Sequence, residues 1–485
     1  MAETTSRNEK WREELRGSMT ARERTSIPRA KMNELDPDFR VTNNLEVNQG
    51  LSAEQALVES KRCLDCPDPQ CVTGCPVGIN IPGFIKNIER GEIIEAAKVL
   101  KQTSALPAVC GRVCPQERQC ESKCIYNKMK KDPVAIGYLE RFAADSLQEQ
   151  RGNVAAEKPV SNGIKIAVAG SGPAGLSFAG AMAQLGYEVT VFEALHEIGG
   201  VLKYGIPEFR LPNSVVDIEI DSLRKMGVEF IPDIVIGKTI SYEDLMDQGF
   251  KGIFVASGAG LPRFMNIPGE NLTGVMSSNE YLTRINLMGA GREGYATPVL
   301  RGKNVAVIGG GNTAMDSVRT ARRMGAENAM IIYRRSESEM PARVEEVHHA
   351  KQEGVRFMTL CNPVEYLSDE KGRVNRMRVQ RMELGEPDES GRRSPVPVEG
   401  AVEEIPVDLV IVSVGVSPNP LIPSTFPGLE VTRRGTIEVN DRLQSSIPVL
   451  FAGGDIVRGG ATVILAMGDG RAAAASMNEY LTSTK

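Results

Sequence analysis

The chain has 485 residues, enough for two or three domains, and a formal charge of −5. A pI of about 5.7 argues against a nucleic-acid partner, which calls for basic patches. The longest apolar runs, such as residues 408–415, fall far short of the ~20 residues a membrane span needs. With 48 glycines and only 5% aromatics, the composition suits an α/β nucleotide-binding protein, whose phosphate loops need close backbone approach.

Residues 1–50 are charged and weakly periodic, and are expected to form an arm that orders on a partner or on the protein surface. Met1–Lys31 holds no apolar signal core, so a cytoplasmic protein is expected. From Ser52 the pattern turns helical, with Ser52 as N-cap and Gln55 three residues on, and this helix leads to Cys63. Eight of the nine cysteines then follow in two runs. The first is C-x2-C-x4-C-x3-C-P (Cys63, Cys66, Cys71, Cys75), the second C-x3-C-P-x4-C-x3-C (Cys110, Cys114, Cys120, Cys124). A four-iron cluster normally takes four thiolates, so eight cysteines point to two clusters. Zinc and disulfides are the alternatives. Zinc sites usually use two separated CxxC pairs, and disulfides belong to oxidising compartments. The first run packs four cysteines into thirteen residues, closer to a ferredoxin-type run, although its second gap holds four residues rather than two. A helical segment at 83–100 separates the runs, a helix near 134–150 closes a domain spanning 51–150, and 151–163 reads as a linker.

The remainder carries one motif twice. The first copy, residues 165–176 (KIAVAGSGPAGL), runs a short apolar strand into G-x-G-x-x-G at Gly170, Gly172 and Gly175. A helix and a second strand follow, ending in Glu193. Glycines for the turn and the pyrophosphate approach, a helix N-terminus toward the phosphates and an acid for the ribose make a dinucleotide fingerprint. The second copy, residues 304–316 (NVAVIGGGNTAMD), has Gly309, Gly311 and Ala314 in the small-residue positions. Its second strand ends in Arg334 and Arg335 where the first copy has Glu193. Guanidinium groups accommodate a 2′-phosphate, so this site is expected to prefer NADP(H). Further strands lie at 252–260, 408–420 and 448–456, the last delivering Asp455 toward a flavin's sugar-alcohol chain. A helix from about Ala461 would point its positive end at the flavin ring. The expected topology is a discontinuous nucleotide domain, 164–295 with 436–485, into which 302–435 is inserted.

Several long stretches now resemble the glutamate synthase small-subunit family of FAD/iron–sulfur oxidoreductases. They are KRCLDC, GCPVGINIPGFI, CGRVCPQERQCE, YGIPEFRLP, TRINLM, GGGNTAMD, YRRSESEMPARVEEVHHA, GEPDESGRR and GGDIVRGGATVILAMGDGR. Within that family the chain most resembles the large subunit of NADH-dependent ferredoxin:NADP oxidoreductase, the electron-bifurcating transhydrogenase, and its sulfide-dehydrogenase relatives. The resemblance implies an α/β fold in which a helical iron–sulfur domain precedes two Rossmann-like domains, the second inserted in the first as in glutathione reductase. It implies that the cysteine runs interleave: Cys63, Cys66, Cys71 and Cys124 hold one [4Fe-4S] cluster, and Cys75, Cys114, Cys120 and Glu140 the other. Cys110 is left as a buried thiol. FAD is implied at Gly170, Ser171, Gly172, Pro173, Ala174, Gly175, Glu193, Gly200, Val201, Arg210, Gly454, Asp455, Ala461 and Thr462. NADP(H) is implied at Gly309, Gly310, Gly311, Asn312, Thr313, Ala314, Arg334 and Arg335.

Hydride exchange between two positioned cofactors needs no catalytic triad, and none is evident. His348 and His349, two of three histidines, are expected at the surface or near nucleotide rather than in catalysis. A disulfide-reductase activity lacks its dithiol, since Cys361 is the only cysteine beyond Cys124. A cofactor-free scaffold is disfavoured by the intact glycines, acids and cysteines. The chain begins Met1-Ala2-Glu3, unlike an N-terminal-cysteine amidotransferase, and has no length left for a flavin barrel, so glutamate chemistry would belong to a partner. The implied partner is a small flavoprotein with an NAD(H) site or a glutamate synthase large subunit, with ferredoxin as a further electron carrier.

Overall fold

The computed structural model describes residues 6–150, 158–389 and 391–483; residues 151–157 of the expected linker lie outside them. The arm is ordered on the chain's own surface. Helices Lys10–Ser18 and Ala21–Ser26, the latter closed by a Thr20/Glu23 capping box, lead into short helix Pro37–Arg40 and the antiparallel pair Asn33–Glu34 and Asn48–Gly50. Three of its arginines are withdrawn from solvent. Arg12, Arg24 and Arg40 are buried, pairing with Asp65, Glu89 and Glu353 respectively. A buried guanidinium is tolerable only when paired and hydrogen-bonded, so these contacts fix the arm's path.

The cysteine-bearing domain is a helical stack. Ser52 and Gln55 form a capping box on helix Ala53–Lys61. The helical segment expected at 83–100 is two helices, Ile81–Glu89 and Ile93–Lys101, because Gly91 turns the chain with φ +86°. Pro107–Val113 and Ile136–Gln150 complete the stack and pack against each other. This domain has no core of its own. Leu106, Val109 and Leu139 share one apolar cluster with Leu176, Phe178, Met467 and Met477 of the first nucleotide domain.

That nucleotide domain is a five-stranded parallel sheet, in the order Leu450–Ala452, Phe250–Val255, Lys165–Ala169, Glu188–Phe192 and Glu229–Ile231. Fully buried apolar strands of this kind need helices on the sheet faces. Pro173–Gln184 packs on the long closing helix Val463–Ser483, and Phe178 stacks on Phe254 with ring centroids 4.2 Å apart. The second nucleotide domain repeats the plan in the order Arg356–Thr359, Asn328–Tyr333, Asn304–Ile308, Leu409–Val412 and Val275–Ser277, again parallel. A three-stranded antiparallel sheet of Cys361–Ser368, Val374–Pro387 and Arg393–Pro406 is appended to it.

The structure moves two expected boundaries. Residues 275–295 do not belong with the first sheet: Val275–Ser277 pairs with Leu409–Val412, and Tyr281, Leu282 and Ile285 enter the second domain's core. Conversely, Ile422, Phe426 and Leu429, expected in the insert, pack with Ile253 and Leu450 of the first. The crossover is the short antiparallel pair Leu261–Pro262 and Val416–Ser417. A three-residue edge strand shows too little alternation to be read in advance.

Candidate functional site

Both glycine motifs open onto one cleft of about 2520 Å³ between the two parallel sheets. A single small-molecule site occupies roughly 300–1,000 Å³. The cleft therefore has room for two dinucleotides. Its walls include Gly170, Ser171, Gly172, Pro173, Ala174, Glu193, Gly200, Val201, Arg210, Gly454, Asp455, Ala461 and Thr462 on one side. Gly309, Gly310, Gly311, Asn312, Thr313, Arg334 and Arg335 line the other. Gly175 and Ala314 do not reach it. A Cβ on Gly175 would stand 2.0 Å from the Gly170 carbonyl oxygen, and Ala314 is wholly buried in the second core. These two residues let helix approach strand rather than touch ligand.

The glycines separate into two kinds. Gly170 has φ +108°, and a Cβ there would lie 2.5 Å from the Ala256 carbonyl oxygen; at Gly309 the clash is 2.2 Å with Ser413. Such positions serve the fold. At Gly172 a Cβ would meet nothing within 4 Å, and at Gly311 only Pro341 at 3.9 Å. Each therefore leaves a bare backbone at the N-terminus of a twelve-residue helix, Pro173–Gln184 and Asn312–Arg323. A helix start of this form offers free N–H groups and partial positive charge to a phosphate. The residues fit dinucleotide pyrophosphates.

Around the first motif, Glu193 accepts hydrogen bonds from the Ser171 N–H (2.9 Å), the Ser171 hydroxyl (2.5 Å) and the Leu195 N–H (3.0 Å). A carboxylate has about four acceptor sites, so one remains for a ribose hydroxyl in the cleft. Asp455 Oδ1 accepts from the Ala461 N–H at 3.1 Å, and burial raises its carboxyl to about 6. The closing helix begins at Val463, just beyond cleft-lining Ala461 and Thr462. Arg210, expected beside the flavin, lines the cleft but is committed across the domain boundary. Its Nη1 donates to both Asp316 oxygens at 2.8 and 2.7 Å, and its Nε lies 3.3 Å from Glu346 without hydrogen-bond alignment.

The arginine pair at the second motif also divides. Arg335 is 5% exposed, held by Asp388 and by the Arg393 carbonyl (2.8 Å) in the appended sheet. Arg334 is exposed, lines the cleft and has no ion pair among the described residues. It is the guanidinium available to a 2′-phosphate. Sequence reading also missed Val113, Pro115 and Arg118, which bring the cysteine domain to the cleft wall, and Arg343, whose guanidinium binds the Arg112 carbonyl at 2.7 Å and Gln116 at 2.9 Å. No motif signals such contacts. His348 is exposed, but His349 is buried and outside the cleft lining, against the expectation of a surface or nucleotide-proximal residue.

The cysteines gather in two groups that cut across their order in the chain. Cys71 is raised by burial and by the neighbouring charges of Cys63, Cys124 and Cys66. Cys75, Cys114 and Cys120 all feel Glu140, and Cys110 presses on Cys114. Burial pushes the Cys63 and Cys75 thiols up to about 11 and the Glu140 carboxyl to about 8. Glu140 Oε1 is buried with no hydrogen-bond partner among the described residues. Acids packed this densely cannot ionise together without a cation, and soft thiolates select iron–sulfur or zinc. The donor set fits clusters. Cys110 instead faces the first nucleotide domain, its Sγ 3.5 Å from Met467 Sδ.

Comparison with known proteins finds two family matches along the chain. Residues 40–152 match the family described as "Dihydroprymidine dehydrogenase domain II, 4Fe-4S cluster", and residues 164–470 match "Pyridine nucleotide-disulphide oxidoreductase". The glutamate synthase [NADPH] small chain of Azospirillum brasilense is 38% identical over 90% of this chain and 91% of its own. The NADP(+)-dependent formate dehydrogenase subunit beta of Moorella thermoacetica is 38% identical over 85% of this chain and 60% of its own. Among solved structures, Mycobacterium tuberculosis FprA in complex with NADPH shares the fold, with a TM-score of 0.56 and 21% identity over 66% of this chain and 85% of its own. Among the described residues no helix is long and apolar enough to cross a membrane. The chain therefore belongs to the glutamate synthase small-chain family of oxidoreductases, in which a pyridine-nucleotide oxidoreductase fold follows an N-terminal 4Fe-4S domain.

Proposed function

We propose that this chain is the NADP(H)-dependent subunit of a multi-subunit oxidoreductase, in which FAD exchanges hydride with NADP(H) and two [4Fe-4S] clusters pass electrons to or from a partner. The observation that carries this reading is the placement of the cysteine groups relative to the cleft. Cys114 lies between cleft-lining Val113 and Pro115, and Cys110 touches Met467, the neighbour of cleft-lining Ala466. Through Cys114, the group Cys75, Cys114, Cys120 and Glu140 thus reaches to within one residue of the cleft lining. Cys63, Cys66, Cys71 and Cys124 are half-buried, as is Cys75, whereas Cys114, Cys120 and Glu140 are buried. An order from cleft to inner group to outer group to partner follows.

The protein's own contribution is positioning. The two helix starts hold the pyrophosphates, Glu193 the ribose, and Asp455 the flavin's sugar-alcohol chain. Arg334 selects the phosphorylated nucleotide. Arg210, through Asp316, holds the two nucleotide domains in register so that the cofactors face each other. Cys110 is a packing thiol.

Two partners are consistent with this plan. The quoted motifs favour a transhydrogenase arrangement with a small NAD(H)-binding flavoprotein. A glutamate synthase arrangement, with an amidotransferase large subunit, is favoured by the match to the small chain of A. brasilense along nine-tenths of both proteins. Co-purification of the native complex decides between them. The general reading fails if the anaerobic holoprotein contains iron and flavin but NADPH bleaches neither chromophore.

A further inference from the structure

Helix Val344–Gln352 sets Glu345 and His349 four residues apart on one face, and the arm strand Asn33–Glu34 brings Glu34 against it. One ligand atom from each of Glu34, Glu345 and His349 lies within 4.8 Å of the other two. His349 is 1% exposed, yet neither ring nitrogen has a hydrogen-bond partner among the described residues. Its Nε2 lies 3.2 Å from Glu34 Oε2 but off the line of an N–H bond. A polar group stranded at this depth is costly, and coordination relieves it.

We propose that Glu34, Glu345 and His349 form a binding site for a divalent transition metal of the zinc type, clamping the N-terminal arm to the second nucleotide domain. One imidazole nitrogen and two carboxylate oxygens, with water as the fourth ligand, is a donor set zinc accepts. A tetrahedron with bonds of ~2.1 Å has edges of roughly 3.4 Å, so the ion draws the three atoms together by side-chain rotation. Orienting partners for the carboxylates are in place. Arg343 Nη2 lies 2.9 Å from Glu345, the Tyr138 hydroxyl donates to Glu345 at 3.4 Å, and Arg40 Nη1 lies 3.5 Å from Glu34.

The surrounding charge admits a cation. Arg40, Arg210, Arg319 and Arg323 form one linked ion-pair network, and Arg343 pairs beside it with Glu345 and Glu117. They face six carboxylates, Glu34, Glu117, Asp316, Glu345, Glu346 and Glu353. With His349 neutral, as a ligand must be, these five arginines and six carboxylates together are one charge anionic.

The test titrates the intact holoenzyme with Zn²⁺ from a chelator buffer and follows hydrogen exchange in residues 33–50 and 344–352. One Zn²⁺ per chain and slower exchange in both segments are expected. Glu34→Gln and His349→Gln should each weaken zinc binding by about tenfold or more, with iron content and flavin spectrum unchanged. Glu34 is 28% exposed, so its variant decides the matter if His349→Gln fails to fold. Equal zinc affinity in wild type and Glu34→Gln overturns the proposal. So does zinc binding that leaves both segments' exchange unaltered, or exchange that responds to pH but not to zinc, the mark of a plain His349–Glu34 ion pair.

Discussion

Replacing Arg334 with alanine isolates the basis of nucleotide preference. Arg334 follows the end of strand Asn328–Tyr333, lines the cleft and has no protein ion pair among the described residues, whereas Arg335 is bound to Asp388 and the Arg393 carbonyl. Arg335 cannot substitute without breaking those contacts. A hydrogen bond to a charged group contributes ~1.5–3 kcal/mol, and exposure to screening water holds Arg334 to the lower part of that range. About 1.5–2 kcal/mol corresponds to about twelvefold to thirtyfold weaker NADP(H) binding. NAD(H), without the 2′-phosphate, should bind as before. Titrating oxidised holoenzyme with NADP⁺ and NAD⁺, read by flavin fluorescence at two salt concentrations, measures both affinities. Equal losses for the two nucleotides, or no loss for either, would refute the reasoning. Arg335→Ala should behave differently, loosening the appended sheet by removing the ion pair to Asp388 and the bond to the Arg393 carbonyl, and affecting both nucleotides.

Gly172→Ala should leave the melting temperature of the flavin-free chain unchanged while lowering flavin retention, because its backbone is extended (φ −69°, ψ −178°) and its added Cβ meets only the cleft. Gly170→Ala, clashing with Ala256, should instead lower the melting temperature; equal behaviour of the two would contradict the division of glycines drawn from the cleft. Cys110→Ala should keep its iron, whereas Cys114→Ala should lose about half of it, one cluster of two, by colorimetric iron assay. Burial raises the Asp455 carboxyl from 3.8 to about 6, so the folded chain holds that proton more tightly than the unfolded one. The stability this contributes is complete below about pH 4 and lost as pH rises through about 6. Asp455→Asn should therefore raise the melting temperature of the flavin-free chain at pH 7 but not at pH 4; a difference independent of pH would point to another cause.

Contiguity decided what could be read in advance. Each glycine motif is local, with strand, turn, helix and the end of the second strand in one unit of sequence, so the place of both in the fold was legible. The arginine pair was legible as a pair, but its division between cleft and hairpin depends on Asp388, brought close by a strand pairing more than fifty positions away. The cysteine groups are the intermediate case. Residue type announced clusters, yet only the resemblance joined Cys124 to the first run and Glu140 to the second, because helical packing, not spacing, brings them there. That the arm orders on the protein surface was among the expectations, but the burial of Arg12, Arg24 and Arg40 was not legible, because it depends on the distant partners Asp65, Glu89 and Glu353. The burial of His349 was hidden in the same way, its neighbours on one helix being acids while its burial comes from the arm.

The Arg40–Glu353 pair sets a condition on synthesis. The two residues are 313 positions apart, and the guanidinium is buried completely only once its partner exists. At translation speeds of about 5–20 residues per second, the arm waits roughly 15–60 s on the ribosome before Glu353 is made. Through that interval the helical domain lacks both the remainder of its shared core and the anchor of its leading segment. Cluster insertion into the nascent chain would thus meet an open site, and closure of the arm would come last, when the second nucleotide domain has folded beneath it.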